Sequence, residues 1–273
     1  MRWLALGLSC WLLGQFSTGT DLVEVYATVT TVSGRPVTTL TRHDFVVREG
    51  GVPQPVSAFA VGDFPLSVAL ALDRSWSMAG DRMRDVRSAG RAFLDNLRPE
   101  DEAMLLAIGS EVETVAPLSR DRDAQYAAVA TLEPWGSTPL HDAIIEAVDR
   151  IGRARGRRAL LILSDGDDRY SRATADEVVA HVRRAAVLVY PVALGRHDVP
   201  LFDEIARLTG GRAFHLEKTA DLEAAFTAVA AELRQQYLLG YEPPAGAPGQ
   251  WRQIEVKVPR GMRVRARMGY LAP

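Results

Sequence analysis

Hydrophobic and polar positions follow three different patterns along the chain. In residues 21–64, and again in residues 236–273, apolar and polar residues alternate with a period of two, and clusters of Gly and Pro interrupt the alternation. This pattern is typical of strands joined by turns. Residues 65–235 instead contain short apolar runs such as LSVALAL and ALLILS, separated by amphipathic segments. The chain therefore divides into two β segments and a middle part of different architecture.

The middle part predicts strands that alternate with helices. In MAGDRMRDVRSAGRAFLDNL, apolar residues such as Met83, Val86 and Phe93 recur at the spacing of one helix face. Strands that are apolar throughout need cover on both faces, which is typical of parallel sheets. We expect an α/β fold for residues 65–235, with a doubly wound, mostly parallel sheet and helices on both faces.

The two β segments are each too short for a stable sheet. A lone two- or three-stranded segment is marginal in water. We therefore expect residues 21–64 and 236–273 to pair with each other and to form a small β domain beside the α/β domain.

Residues 1–20 have the pattern of a signal peptide. Arg2 precedes an apolar stretch, Trp3 to Phe16, and small and polar residues follow. The stretch is short for a membrane span and typical of a secretory signal. We expect cleavage between Ser17 and Asp21, no stable membrane span afterwards, and a secreted, periplasmic or cell-envelope location. An uncleaved anchor is the alternative.

Composition excludes two classes of function. The 273 residues are 47% hydrophobic, and the net charge is -2, so the chain has no electrostatic reason to bind nucleic acid. The single cysteine, Cys10, lies in the signal segment. The mature chain would contain no disulfide and no reactive thiol.

Oxygen-bearing side chains follow three of the predicted strands. Asp73, Ser75 and Ser77 occur in LALDRSWSMAG, Thr138 in WGSTPLHDAI and Asp165 in LILSDGDD. Ligands of doubly wound sheets bind at the carboxyl ends of the strands, near the topological switch point. Carboxylates and hydroxyls are hard ligands that suit Mg²⁺, Mn²⁺ or Ca²⁺ better than zinc or copper. These loops predict a divalent-cation site.

Simpler interpretations of the same residues remain open. Ser75 or Ser77 could cap a helix, and Asp165 could stabilise its own turn. Trp76 either packs onto its own loop or stands exposed beside the ion as a partner contact.

The segments DRSWS, STPL and LILSDG resemble the metal-ion-dependent adhesion site of the von Willebrand factor type A domain. The resemblance covers roughly residues 64–235 and implies that Asp73, Ser75 and Ser77 supply the first loop of the site, Thr138 the second and Asp165 the third. The family usually has Gly between the two serines, where this chain has Trp76. The flanking stretches are similar to the ends of secreted bacterial proteins with a related domain, a group abundant in acidobacteria.

Binding is the function that these residues favour. Two carboxylates only neutralise a divalent ion, so the ion can accept one more oxygen, such as a partner's carboxylate. We expect an exported, metal-dependent protein-binding module, with Mg²⁺ as the ion and Mn²⁺ or Ca²⁺ as alternatives. The chain has no G-x-S-x-G, P-loop or dinucleotide motif and no evident general base beside the ion, so we expect no enzyme. The alternatives are a metal-assisted phosphohydrolase and a structural module whose site never meets a ligand.

Overall fold

The computed structural model describes residues 22–62, 64–195 and 199–272 of the chain. The expected signal peptide at residues 1–20, with its cleavage site and Cys10, lies outside the described residues. Within the described ranges, no helix is both long and apolar enough to cross a membrane.

Strands occupy both ends of the described chain, and strands and helices alternate between them. The strands are β1 (Val23–Thr31), β2 (Val46–Glu49), β3 (Val52–Gln54), β4 (Ala58–Val61), β5 (Leu66–Asp73), β6 (Glu102–Ile108), β7 (Val112–Ser119), β8 (Arg157–Ser164), β9 (Leu188–Leu194), β10 (Phe214–Leu216), β11 (Tyr237–Tyr241), β12 (Trp251–Lys257), β13 (Met262–Ala266) and β14 (Gly269–Leu271). The helices are α1 (Asp81–Asp95), α2 (Arg122–Ala130), α3 (Leu140–Gly152), α4 (Ala175–Arg184), α5 (Pro200–Thr209) and α6 (Leu222–Leu233). The order agrees with the three patterns in the sequence.

The middle part of the chain forms one six-stranded sheet in the order β10-β9-β8-β5-β6-β7. All neighbouring strands are parallel except β7, which is antiparallel to β6. The chain runs outward from β5 to one edge and then outward from β8 to the other, so the topological switch point lies between β5 and β8. The predicted doubly wound, mostly parallel sheet is confirmed.

Helices cover both faces of this sheet. Every residue of β5 is buried, because alternate side chains enter two separate cores. Leu70 and Leu72 pack in the core that includes α1, α2 and α6. Ala69 and Ala71 pack in the core that includes α3, α4 and α5. The uniformly apolar strands thus have the two-sided cover that they require.

The two ends of the chain pair with each other, as predicted. β1 is antiparallel to β11 and to β13, with Val25 opposite Leu239, and β2 is antiparallel to β12. The structure adds a detail that the pattern does not contain, since these strands form two four-stranded sheets, β13-β1-β11-β4 and β14-β12-β2-β3. Both sheets contribute to one apolar core, and we refer to them as the β-sandwich.

A polar network joins the α/β domain to the β-sandwich. Glu232 at the end of α6 accepts hydrogen bonds from Tyr190 of β9 at 3.0 Å and from Thr28 of β1 at 3.4 Å, and it forms a 2.6 Å ion pair with Arg265 of β13. Buried polar groups need such partners. The network therefore fixes the position of α6 against the sandwich.

Candidate metal centre

The first loop begins at Asp73, the last residue of β5, at the switch point of the sheet. The side chain of Asp73 is fully buried, and the backbone N–H of Ser75 donates to its Oδ1 at 2.8 Å. One 3-10 turn follows at Trp76–Met78, and it leaves the hydroxyl oxygens of Ser75 and Ser77 2.9 Å apart. The D-x-S-x-S spacing thus brings three polar side chains to the end of one strand.

The second loop brings Thr138 to the same carboxylate. This loop joins α2 to α3, so the expectation that it directly follows a strand is wrong. Thr138 is buried, and its hydroxyl donates to Oδ2 of Asp73 at 3.2 Å. The backbone ties the two loops together, because the N–H of Trp76 donates to the carbonyl of Gly136 at 3.1 Å. The position of Thr138 therefore depends on the local path of the chain through Gly136.

Only glycine fits at position 136. Gly136 has φ +79°, and a Cβ added there would lie 2.4 Å from the backbone nitrogen of Ser110. The left-handed conformation is costly for other residues, and the contact would force the backbone apart. Gly136 thus allows the close approach that holds the second loop over β5.

The third loop supplies Asp165, which directly follows β8. Its side chain is half-buried and lines one cleft with Ser75, Ser77 and Thr138. We refer to Asp73, Ser75, Ser77, Thr138 and Asp165 as the strand-end site. The structure brings all five together, and their role as metal ligands stays a prediction.

The electrostatics of Asp73 are those of a buried anion. Burial raises the pKa of the Asp73 carboxyl, hydrogen bonds from Ser75 and Ser164 oppose the increase, and the charge of Asp165 adds to it. Neither Asp73 nor Asp165 forms an ion pair with a cationic side chain of the described chain. Burying a charge without a counter-charge is costly.

A divalent cation would offset this cost, and the donors present fit one. All are carboxylate or hydroxyl oxygens, which are the ligands of Mg²⁺, Mn²⁺ and Ca²⁺. In the parts of the chain that the structure describes, no group of three or more His, Cys, Asp and Glu residues could hold a metal ion. The strand-end site has only two residues of these types, Asp73 and Asp165, and its other donors are hydroxyls.

Exposed aromatic side chains flank the cleft. Trp76 is 66% exposed and Tyr170 is 84% exposed, and both line the cleft with the strand-end site. Trp135, on the second loop, is 47% exposed, but it lines a different cleft, with Arg74 and Glu113. Of the two interpretations of Trp76 that the sequence leaves open, the structure therefore favours the exposed one.

Two further residues support the site, and the sequence analysis did not identify this role for either of them. Ser164, the last residue of β8, donates to Oδ2 of Asp73 at 2.8 Å. Asp168 accepts from the backbone N–H of His141 at 3.1 Å, and it holds the start of α3 behind the second loop. Ser164 could have been found as a polar residue that ends an apolar strand, next to Asp165.

Residues 68–167 match the family model of the von Willebrand factor type A domain. This stretch begins in β5 and ends after β8, so it contains all three loops of the strand-end site. The region that carries the strand-end site is thus similar to a von Willebrand factor type A domain. The resemblance to this domain is confirmed, and the metal-ion-dependent adhesion site within it stays a prediction. Domains of this family commonly mediate protein–protein interactions and are typically not enzymes.

Curated relatives and solved structures agree with this assignment. Inter-alpha-trypsin inhibitor heavy chain H4 of Bos taurus is 27% identical over 139 residues, which are 46% of this chain and 15% of that protein. The structure titled von Willebrand factor type A from Catenulispora acidiphila has a TM-score of 0.58 at 14% identity and covers 93% of this chain and 75% of that one.

A third neighbour is proximal thread matrix protein 1 from the mussel byssus, solved with a zinc occupied MIDAS motif. Its TM-score is 0.55 at 12% identity, over 65% of this chain and 48% of that one. Identities this low show the fold alone. The matches to these curated relatives span only 14% to 22% of those proteins.

Proposed function

We propose that this chain binds a divalent cation at the strand-end site and, through that ion, an acidic side chain of a protein partner. One observation carries the proposal. Asp73 is a fully buried carboxylate, it accepts hydrogen bonds only from neutral groups, and it has no cationic partner in the described residues.

Each residue of the site has a role in this proposal. Asp73 and Asp165 would supply the charge that balances a divalent ion, and Ser75, Ser77 and Thr138 would supply neutral oxygens. Such a site leaves the bound ion able to attract one further anionic ligand. The ion would attract the partner's carboxylate, and that carboxylate would reach the ion through the exposed side of the cleft.

The identity of the ion follows from the donors. The all-oxygen set favours Mg²⁺, with Mn²⁺ and Ca²⁺ as alternatives. The mussel protein with a zinc occupied MIDAS motif supports metal binding by a domain of this fold, and it makes zinc a necessary competitor in any binding experiment. Export of the mature protein to the cell envelope or beyond belongs to the same proposal and rests on the pattern of residues 1–20.

Calorimetry tests the metal part of the proposal. We expect Mg²⁺ to bind the mature protein with one site, and Asp73→Ala to abolish binding. Asp123→Ala is the matched control, because Asp123 is an exposed aspartate on α2 away from the site. Equal Mg²⁺ affinity in Asp73→Ala and in the unaltered protein would overturn the assignment.

A second measurement separates binding from catalysis. We expect no Mg²⁺-dependent hydrolysis of a phosphoester such as p-nitrophenyl phosphate. Turnover that disappears in Asp73→Asn would instead support a metal-assisted phosphohydrolase.

A further inference from the structure

A second cavity lies at the junction of the α/β domain and the β-sandwich. It has a volume of about 30 Å³, and its lining includes Tyr26, Arg158, Arg183, Leu188 and Arg267. Arg158 and Leu188 stand at the beginnings of β8 and β9. This cavity, the junction cavity, is therefore at the end of the central sheet opposite to the strand-end site.

Three arginines from three different elements meet at the junction cavity. Arg158 donates to the carbonyl of Gly152 at 3.0 Å, but its Nε is buried and has no acceptor. Arg267 uses its Nε to donate to the carbonyl of Gly269 at 2.9 Å. Arg183, at the end of α4, lies over the ring of Trp251 at 5.3 Å. Most of the guanidinium donors of Arg158 and Arg267 thus remain available.

These three arginines have no carboxylate partner in the described part of the chain. None of the three forms an ion pair with an Asp or Glu of the residues described. Burial lowers the pKa of Arg267 to about 10, and the charge of Arg158 acts in the same direction. Two cationic side chains therefore repel each other in a partly desolvated place, where Coulomb interactions are stronger than in water.

We propose that the junction cavity binds one small oxyanion of carboxylate size between Arg158 and Arg267. A cavity needs about 10–15 Å³ to hold one water-sized atom, so about 30 Å³ has room for the two oxygens of a carboxylate. The planar fork of an arginine pairs with two such oxygens at once, which a spherical halide cannot exploit.

The ligand would connect two parts of the molecule. Arg158 belongs to the α/β domain, whereas Arg267 follows β13 in the β-sandwich. An anion held by both would replace a repulsion across the junction with two attractions. Binding to the folded state alone raises the temperature of unfolding with ligand concentration.

Thermal unfolding of the metal-free mature protein tests the proposal. Sodium acetate is the probe, sodium chloride at equal ionic strength is the reference, and the absence of metal prevents acetate from binding through an ion at the strand-end site. We expect a saturable rise of Tm with acetate that chloride does not reproduce. Arg267→Gln should weaken the apparent acetate affinity at least tenfold, since it removes one of the two arginines that would hold the anion.

Arg263→Gln is the matched control, because Arg263 is an exposed arginine on β13, and it should respond to acetate like the unaltered protein. The same acetate response in Arg267→Gln and in the unaltered protein would overturn the proposal, as would equal responses to acetate and chloride. If Arg267→Gln does not fold, Arg158→Gln provides the same comparison. Absence of a saturable response in the unaltered protein overturns the proposal whatever the variants show.

Discussion

Asp73 occupies a position that few carboxylates can occupy without a counter-charge. It ends a strand that is buried along its whole length, and its oxygens accept hydrogen bonds from Ser75, Thr138 and Ser164. Neutral donors reduce the cost of burying a charge but do not remove it. This uncompensated burial supports the proposal that a cation binds at Asp73.

Asp73→Asn should change stability in opposite directions with and without metal. In chelator, the amide removes a desolvated charge, and we expect the free energy of unfolding to rise by about 1–3 kcal/mol. With saturating Mg²⁺ the unaltered protein gains the free energy of ion binding, and the variant does not. Urea unfolding in EDTA and in Mg²⁺ measures both, and the same order of stability in the two buffers would contradict a metal role for Asp73.

Gly136→Ala should damage both the fold and the site. A residue other than glycine in the left-handed conformation costs about 1–2 kcal/mol, and the contact with Ser110 adds to this cost because the backbone must move. We expect a loss of about 3 kcal/mol in the free energy of unfolding and a weaker Mg²⁺ affinity, since the second loop carries Thr138.

Gly249→Ala is the control for backbone conformation alone. Gly249 has φ +74°, and nothing lies within 4 Å of an added Cβ. It should lose only about 1 kcal/mol and keep its Mg²⁺ affinity. Equal losses in the two variants would show that the contact at Gly136 is unimportant.

At the scale of elements, the period of the hydrophobic pattern predicted the sheet, its two-sided cover and the pairing of the chain ends. Periodicity reports which face of an element is buried, but not which polar atoms meet across elements. Ser164 shows the difference, because its contact with Asp73 joins residues 91 positions apart. The division of the end strands into two sheets depends on such long-range packing as well.

Glu232→Ala should loosen the contact of α6 with the β-sandwich. The change leaves the half-buried Arg265 without its ion pair and leaves Tyr190 and Thr28 without an acceptor. Removing one partner of a buried pair costs about 3–5 kcal/mol, and the partial exposure of Arg265 reduces our expectation to about 2–4 kcal/mol. Urea unfolding measures this loss.

Glu223→Ala is the comparison on the same helix. Glu223 is exposed and accepts one hydrogen bond, from Ser88 at 3.1 Å, so the variant should lose less than about 1 kcal/mol. If both variants lose the same amount, the network at Glu232 does not couple the helix to the sandwich.

At the scale of the whole molecule, the strand-end site and the β-sandwich are related by the direction of the parallel strands. The loops of the site follow the carboxyl ends of β5 and β8, and Arg157 at the opposite end of β8 donates to Gln236, which precedes β11 of the sandwich. A partner that meets the exposed cleft would therefore not need to displace the sandwich. The aromatic side chains around the cleft are available for that contact.

Trp76→Ala should weaken partner binding without removing the metal. Aromatic residues contribute much of the energy at protein interfaces, and Trp76 is both exposed and adjacent to two proposed ligands, Ser75 and Ser77.

Thr138→Ala, in contrast, should weaken Mg²⁺ affinity and partner binding together, because it removes a proposed ligand. Calorimetry with Mg²⁺ and Mg²⁺-dependent capture of partner from an envelope extract measure the two effects separately. Val52→Ala is the control, since Val52 is 61% exposed on the distant edge strand β3, and it should change neither. Capture that persists in EDTA, or that Trp76→Ala and Val52→Ala reduce equally, would contradict binding at this cleft.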